Sequence, residues 1–246
     1  MSDVVVEILE NVVLKYSTTN KGNIRLRREL KVLKALQASP HTPNLIKSTD
    51  KDHKLTITMD KIFGENIQNL FSIHEYVLKP VPLSIARTYI KQYIEAEMDF
   101  LSRGYLYRDL NLEHIIFNSG KMVLLDHEST LFSLDREKWQ LNDTRGTWET
   151  MAPEEFLGYG ELSARTATYR TAAIAYLLLM GKLPYKRFSD SRSSTFSWRK
   201  KYKPIIDASL SKPVQRIFKT ALAIKPVHRY KNPRIFFLRL TKAYDK

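Results

Sequence analysis

Apolar residues recur along this chain with two different periods, and the switches between them mark out its elements. Val4 to Leu9 and Val12 to Tyr16 are short β-rich runs around Glu10-Asn11, the pattern of a hairpin. Leu26, Leu30, Leu33 and Leu36 then recur at three-to-four spacing with basic residues between them, which predicts a helix ending near Ser39-Pro40. Leu55 to Met59 alternates like a half-buried strand. After the breaker Pro80-Val81-Pro82 a long helix is predicted with Ser84 as its N-cap. Ile85, Tyr89, Ile90, Tyr93, Ile94, Met98 and Leu101 trace its apolar face up to Gly104. Two short apolar strands, Ile115 to Phe117 and Met122 to Leu125, flank the turn Asn118-Ser119-Gly120. Tyr169 to Met180 is apolar and helical and stops at Gly181, and Val214 to Ile224 and Pro233 to Tyr244 are amphipathic.

The chemistry concentrates in Tyr105 to Asp126, YLYRDLNLEHIIFNSGKMVLLD. The two strands deliver the carboxylates of Asp109 and Asp126 to the same end of one hairpin. The 246 residues allow a substantial core, as one domain or as two lobes folded as a unit. The absence of cysteine excludes disulfides and thiolate metal sites and fits a cytoplasmic location. The N-terminus is no signal peptide, and Ala172 to Met180 is too short to span a bilayer. The net charge of +14 favours acidic partners, or is simply a soluble basic surface. The basic surface leaves contact with nucleic acid or an anionic membrane open, although no ribonucleoprotein motif is present.

Tyr107-Arg108-Asp109-Leu110 with His114 four residues on, and Asp126 at the end of the next strand, resembles the catalytic loop and metal-binding strand of eukaryotic-type (Ser/Thr) protein kinases. Further motifs extend the resemblance from Lys15 to Arg229. Val12-Val13-Leu14-Lys15 resembles the V-A-I-K strand, RRELKVLKAL around Glu29 resembles the C-helix, and Pro43-Asn44-Leu45-Ile46 resembles the entry to the next strand. Gly146 to Glu154 resembles the G-T-x-x-Y-x-A-P-E peptide shelf, with Arg229 standing where the ion-pair partner of Glu154 is expected.

The resemblance implies an α+β, protein-kinase-like two-lobed fold. Residues 1–62 would form a small β-rich N-lobe with C-helix and hinge, and 63–246 a mainly helical C-lobe. The N-lobe is expected to be shortened, because no glycine precedes Lys15 and a glycine-rich phosphate loop cannot fit there. The implied function is ATP-dependent transfer of the γ-phosphoryl group to a protein Ser or Thr, with Mg²⁺ or Mn²⁺. Asp109, Arg108 and Thr147 are the implied catalytic residues. Lys15 and Glu29 would grip the phosphates, while Met59, Asp60 and Ile62 would line the adenine hinge. Asp126 and His114 are the implied metal ligands, and Ser133 and Thr144 the implied phosphosites, with Arg108 receiving the phosphate.

Four departures keep an alternative open, a pseudokinase that binds a nucleotide or a partner as a scaffold. The glycine loop is missing. His114 stands in place of Asn, as it does in bacterial lipopolysaccharide kinases, and its role is open between metal, phosphate and a structural place. His127-Glu128 replaces Phe-Gly; Glu128 either adds a carboxylate to the metal site or faces solvent. Finally, Thr166-Ala167-Thr168 stands where a helix Asp normally ties down the catalytic loop, so that tie is expected to be lost or taken over by a hydroxyl.

Overall fold

A computed structural model describes residues 3–132, 147, 149–157, 162–185 and 204–245. The predicted hairpin forms: β1 (Val5–Ile8) pairs antiparallel with β2 (Val12–Ser17), Val5 opposite Tyr16 and Ile8 opposite Val13. Helix α1 (Asn20–Ala35) follows, its start capped by Thr19, whose side chain accepts from the Gly22 amide. Strands β3 (Leu45–Lys51) and β4 (Lys54–Asp60) complete a four-stranded sheet in the order β1-β2-β4-β3.

One face of this sheet packs on α1 through a small core of Leu26, Leu33, Leu55, Ile57 and Met59. The helix reaches further, because its Val32 and its C-cap residue Leu36 belong to the larger core below. A single amphipathic helix therefore joins both hydrophobic clusters.

Strand β5 (Glu65–Asn66) and the short helix α2 (Ile67–Leu70) lead to the long helix α3 (Leu83–Ser102). This helix begins one residue before the predicted Ser84 cap. Pro82 occupies the N-cap with an extended backbone, no side chain caps the end, and Ser84 lies inside the first turn. Gly104 adopts a φ of +81° just past the last turn, the left-handed conformation that glycine takes without strain. Strand β6 (Tyr105–Leu106) opens the functional stretch. The predicted pair is β7 (Ile115–Asn118) against β8 (Lys121–Leu124), with β5 on the far side of β7. Strand β9 (Leu131–Phe132) pairs back on β6.

The large core is built around α3 and α5 (Ala164–Met180). Helix α5 starts five residues before the apolar run that predicted it. The polar residues of its first turns are tied by a capping box between Ser163 and Thr166, so polarity there does not end the helix. Between them lies α4 (Pro153–Leu157), and α6 (Lys212–Ala221) and α7 (Pro233–Tyr244) close the core with Phe218 and Phe236. No described helix is long and apolar enough to cross a membrane. The expected phosphosites Ser133 and Thr144, together with Gly146 and Trp148 of the shelf motif and the basic stretch 186–203, lie outside the described residues.

Leu33 is fully buried between sheet and helix. Leu33→Ala should lower the free energy of unfolding by about 2–5 kcal/mol in a urea titration, the range for truncating a packed leucine.

Candidate active site

Strand alternation explains the placing of Lys15. Val13 and Lys15 point to the same face of β2; Val13 packs on the small core, and Lys15 follows it inward beneath α1. On the helix, Glu29 lies between Leu26 and Leu33 on the buried face, and is itself 2% exposed. The two groups meet: Lys15 Nζ lies 2.7 and 3.0 Å from the Glu29 carboxylate oxygens. The same ammonium donates to Asp126 Oδ1 at 3.1 Å. Burial works against charge on Lys15, but Glu29 and Asp126 outweigh it and hold the ammonium well above its ordinary pKa.

Asp126 follows β8 with a φ of +55°, a left-handed conformation uncommon outside glycine. Desolvation opposes its charge, yet Lys15 and His114 beside it keep the carboxyl below its usual range. His114 ends the 3₁₀ turn Leu112–His114 and places Nδ1 3.1 Å from Asp109 Oδ2. Burial lowers the imidazole's affinity for a proton, but the hydrogen bond and charge of Asp109 raise it overall. Thr147 donates through Oγ1 to the other Asp109 oxygen at 2.9 Å. Ligand atoms of Asp109, His114 and Asp126 lie within 4.8 Å of one another. Two carboxylates and an imidazole suit a divalent ion, and the imidazole shifts that donor set from Mg²⁺ towards Mn²⁺.

Other expected positions are placed less directly. Met59 is buried in the small core, and Asp60 and Ile62 are half-buried where β4 ends. The amides of Asp60 and Lys61 already donate to the carbonyls of Asn44 and Asn11, at 3.0 and 3.1 Å. Arg108 is buried rather than turned to solvent, with Nε 3.5 Å from Glu155 Oε1. Glu128 takes neither expected role: it is half-buried and pairs with Arg25 on α1 at 3.5 Å. His127 fills an aromatic place, fully buried with its ring 5.5 Å from that of Phe100 and 5.9 Å from that of Tyr107. Its Nε2 lies 2.7 Å from Thr42 Oγ1. Glu154 and Arg229 form the expected ion pair in fork geometry, with two contacts of 2.7 Å.

The lost helix carboxylate has a replacement that sequence reasoning missed. The hydroxyls do not reach the catalytic loop: Thr166 closes the helix cap, and Thr168 donates to the carbonyls of Ala164 and Tyr230. Instead Arg170, one turn further along α5 and fully buried, donates to the carbonyls of Tyr107 and Arg108. A lone arginine beside the apolar run 172–180 was the signal for it.

A family model for the protein kinase domain matches residues 9–236. The chain belongs to the protein kinase domain family. Among its relatives, CBL-interacting protein kinase 31 of Oryza sativa subsp. japonica is 26% identical over 185 residues, covering 71% of this chain and 40% of that protein. CBL-interacting serine/threonine-protein kinase 20 of Arabidopsis thaliana is 27% identical over 177 residues, 71% of this chain and 39% of that protein. This kinase-family chain thus matches about two-fifths of the length of these relatives. The structure of the Cydia pomonella granulovirus kinase PK-1 superposes with a TM-score of 0.71 over 97% of this chain and 93% of that one, at 14% identity. The shared fold is that of a protein kinase.

Behind the catalytic loop of this kinase domain, Glu97 is fully buried, with Tyr93 donating to it. Burial raises its pKa from 4.5 to about 7, although Arg170 opposes the shift. The folded value exceeds the unfolded one, so this group's contribution is complete below pH 4.5 and lost as pH rises through 7. Between pH 5 and 8 the wild type should therefore lose up to about 3 kcal/mol of stability relative to Glu97→Gln. Denaturant midpoints of the two proteins across that range test this; a constant difference would contradict it.

Proposed function

We propose that the chain is an atypical ATP-dependent protein kinase that transfers the γ-phosphoryl group to a Ser or Thr hydroxyl of a protein. The observation that carries this reading is the Lys15 ammonium, held at once by Glu29 and by Asp126 beside the Asp109–His114 cluster. In this reading residues 1–62 act as the N-lobe and 63–246 as the C-lobe. The nucleotide lies between them, its base against Met59, Asp60 and Ile62.

Lys15 neutralises phosphate charge, and Glu29 keeps the ammonium pointed at it. Asp126 and His114 would hold the divalent ion, which when bound screens the charge on the phosphates. Asp109 receives the hydrogen bond of the attacking hydroxyl and orients it. Phosphoryl transfer depends more on positioning than on basicity, and Asp109 supplies that position. Thr147 steadies Asp109 from the shelf, and Arg108 supports the loop from within. A protein Ser/Thr substrate is supported by the relatives, one of them a serine/threonine-protein kinase by name.

One observation favours a second reading, a nucleotide- or partner-binding scaffold. The turn between β1 and β2 carries no glycine, the residue that lets backbone amides approach phosphate oxygens closely.

Asp109→Ala and Asp126→Ala should each reduce transfer from labelled ATP at least about a hundredfold while both proteins stay folded. Wild type that phosphorylates neither itself nor mixed proteins with Mg²⁺ or Mn²⁺ would sink the enzyme reading. Thermal shift separates the two readings. Nucleotide at about 100 times its dissociation constant adds about 2.7 kcal/mol. An enzyme should show the resulting rise only with metal present; a nucleotide-binding scaffold should show it without metal, and a partner scaffold should show none.

A further inference from the structure

We propose that Arg170 is the positioning residue of the catalytic loop, and that with Glu155 it holds Arg108 in its working place without a phosphate on segment 133–146. The proposal rests on the kinase reading above and names how that site is kept in order.

Arg170 lies deep in α5 among Tyr169, Thr171, Ala172 and Ala173, all buried. A guanidinium in such a place is costly unless its donors are matched. Here the planar fork meets two successive carbonyls, those of Tyr107 and Arg108. These are the two peptide units directly before Asp109. Holding both carbonyls sets the direction in which the chain enters Asp109, and so the aim of its carboxylate. The tie that resemblance assigns to a helix carboxylate is thus made with reversed polarity, a cation on carbonyl oxygens.

The second part concerns charge. Glu155 is 1% exposed, and one of its oxygens lies 3.5 Å from Arg108 Nε and 3.6 Å from Arg170 Nη1. Its other oxygen accepts the Ala152 amide at 2.9 Å. One carboxylate therefore serves two buried guanidinia and fixes them to the turn that opens α4. Arg108 already has its counter-charge. A phosphate offered to it would enter beside the buried Glu155 carboxylate, and the like charges would repel.

The test uses the full chain with three readouts: backbone amide exchange by mass spectrometry, nucleotide affinity, and kcat and KM for transfer. Arg170→Lys keeps the charge but loses the fork. It should leave amide exchange of residues 20–35 and nucleotide affinity within threefold of wild type. Exchange across 105–112 should accelerate at least tenfold, and kcat should fall at least tenfold at unchanged KM. Folded Arg170→Lys with wild-type exchange in that stretch would overturn the positioning role. If Arg170→Lys does not fold, Glu155→Gln decides: faster exchange across 105–112 supports the network, and wild-type exchange overturns it. Ser133→Ala/Thr144→Ala and phosphatase-treated wild type should both keep kcat within twofold and exchange unchanged. A tenfold loss of kcat in either, or loosening of 105–112, would overturn independence from phosphate. Exchange can be read in a chain that transfers nothing, so an inactive wild type would sink the kinase reading while this proposal is still decided.

Discussion

One ammonium group joins three separated parts of the chain. Lys15 comes from a strand, Glu29 from the helix packed on it, and Asp126 from the end of a strand more than a hundred residues away. Each contact depends on packing elsewhere. Lys15 points inward because Val13 anchors that face of β2, and Glu29 meets it because Leu26 and Leu33 fix the rotation of α1. Asp126 arrives because β8 is pinned in the large core by Met122 and Leu124. Lys15 and Glu29 are 12% and 2% exposed, so removing either would leave a buried charge short of its partner, which costs more than the intact pair contributes.

The same constraint governs the larger lobe. Charges far from solvent there are shared rather than isolated: Glu154 with Arg229, and Glu155 with Arg108 and Arg170. Arg229 also stacks over the Tyr169 ring, 4.7 Å from its centroid. These groups connect the catalytic loop, the turn before α4, the first turns of α5 and the segment before α7. Polar groups so confined narrow the arrangements available to the loop that carries Asp109.

Much of this was legible beforehand. The hairpin β1–β2, helix α1 and the β7–β8 pair follow from periodicity and turn residues, while Glu29 facing inward and the Glu154–Arg229 bridge follow from the resemblance to protein kinases. The places where reading failed share a cause. Ser84 is a good cap by residue type, but Pro82 takes the N-cap place two residues earlier. Thr166 and Thr168 stand near the expected anchor, yet their hydroxyls satisfy local backbone groups first. Glu128 sits next to Asp126 in sequence, but the turn at 127–129 sends it to Arg25. His127 stands in the Phe place of the motif and packs there as an aromatic ring.

By itself the sequence determined the elements, the family and the residues that converge on the Asp109–Asp126 end of the hairpin. Periodicity and motif spacing are local or nearly so, and they survive without knowledge of neighbours. Beyond the expected Glu154–Arg229 bridge, only the tertiary structure decided which buried charge answers which. It set Arg170 rather than a hydroxyl under the catalytic loop, gave Arg108 a carboxylate in Glu155, and placed one lysine against two acids. Partner choice among buried polar groups depends on distances across the fold and on where water is excluded, and neither is written in the order of residues along the chain.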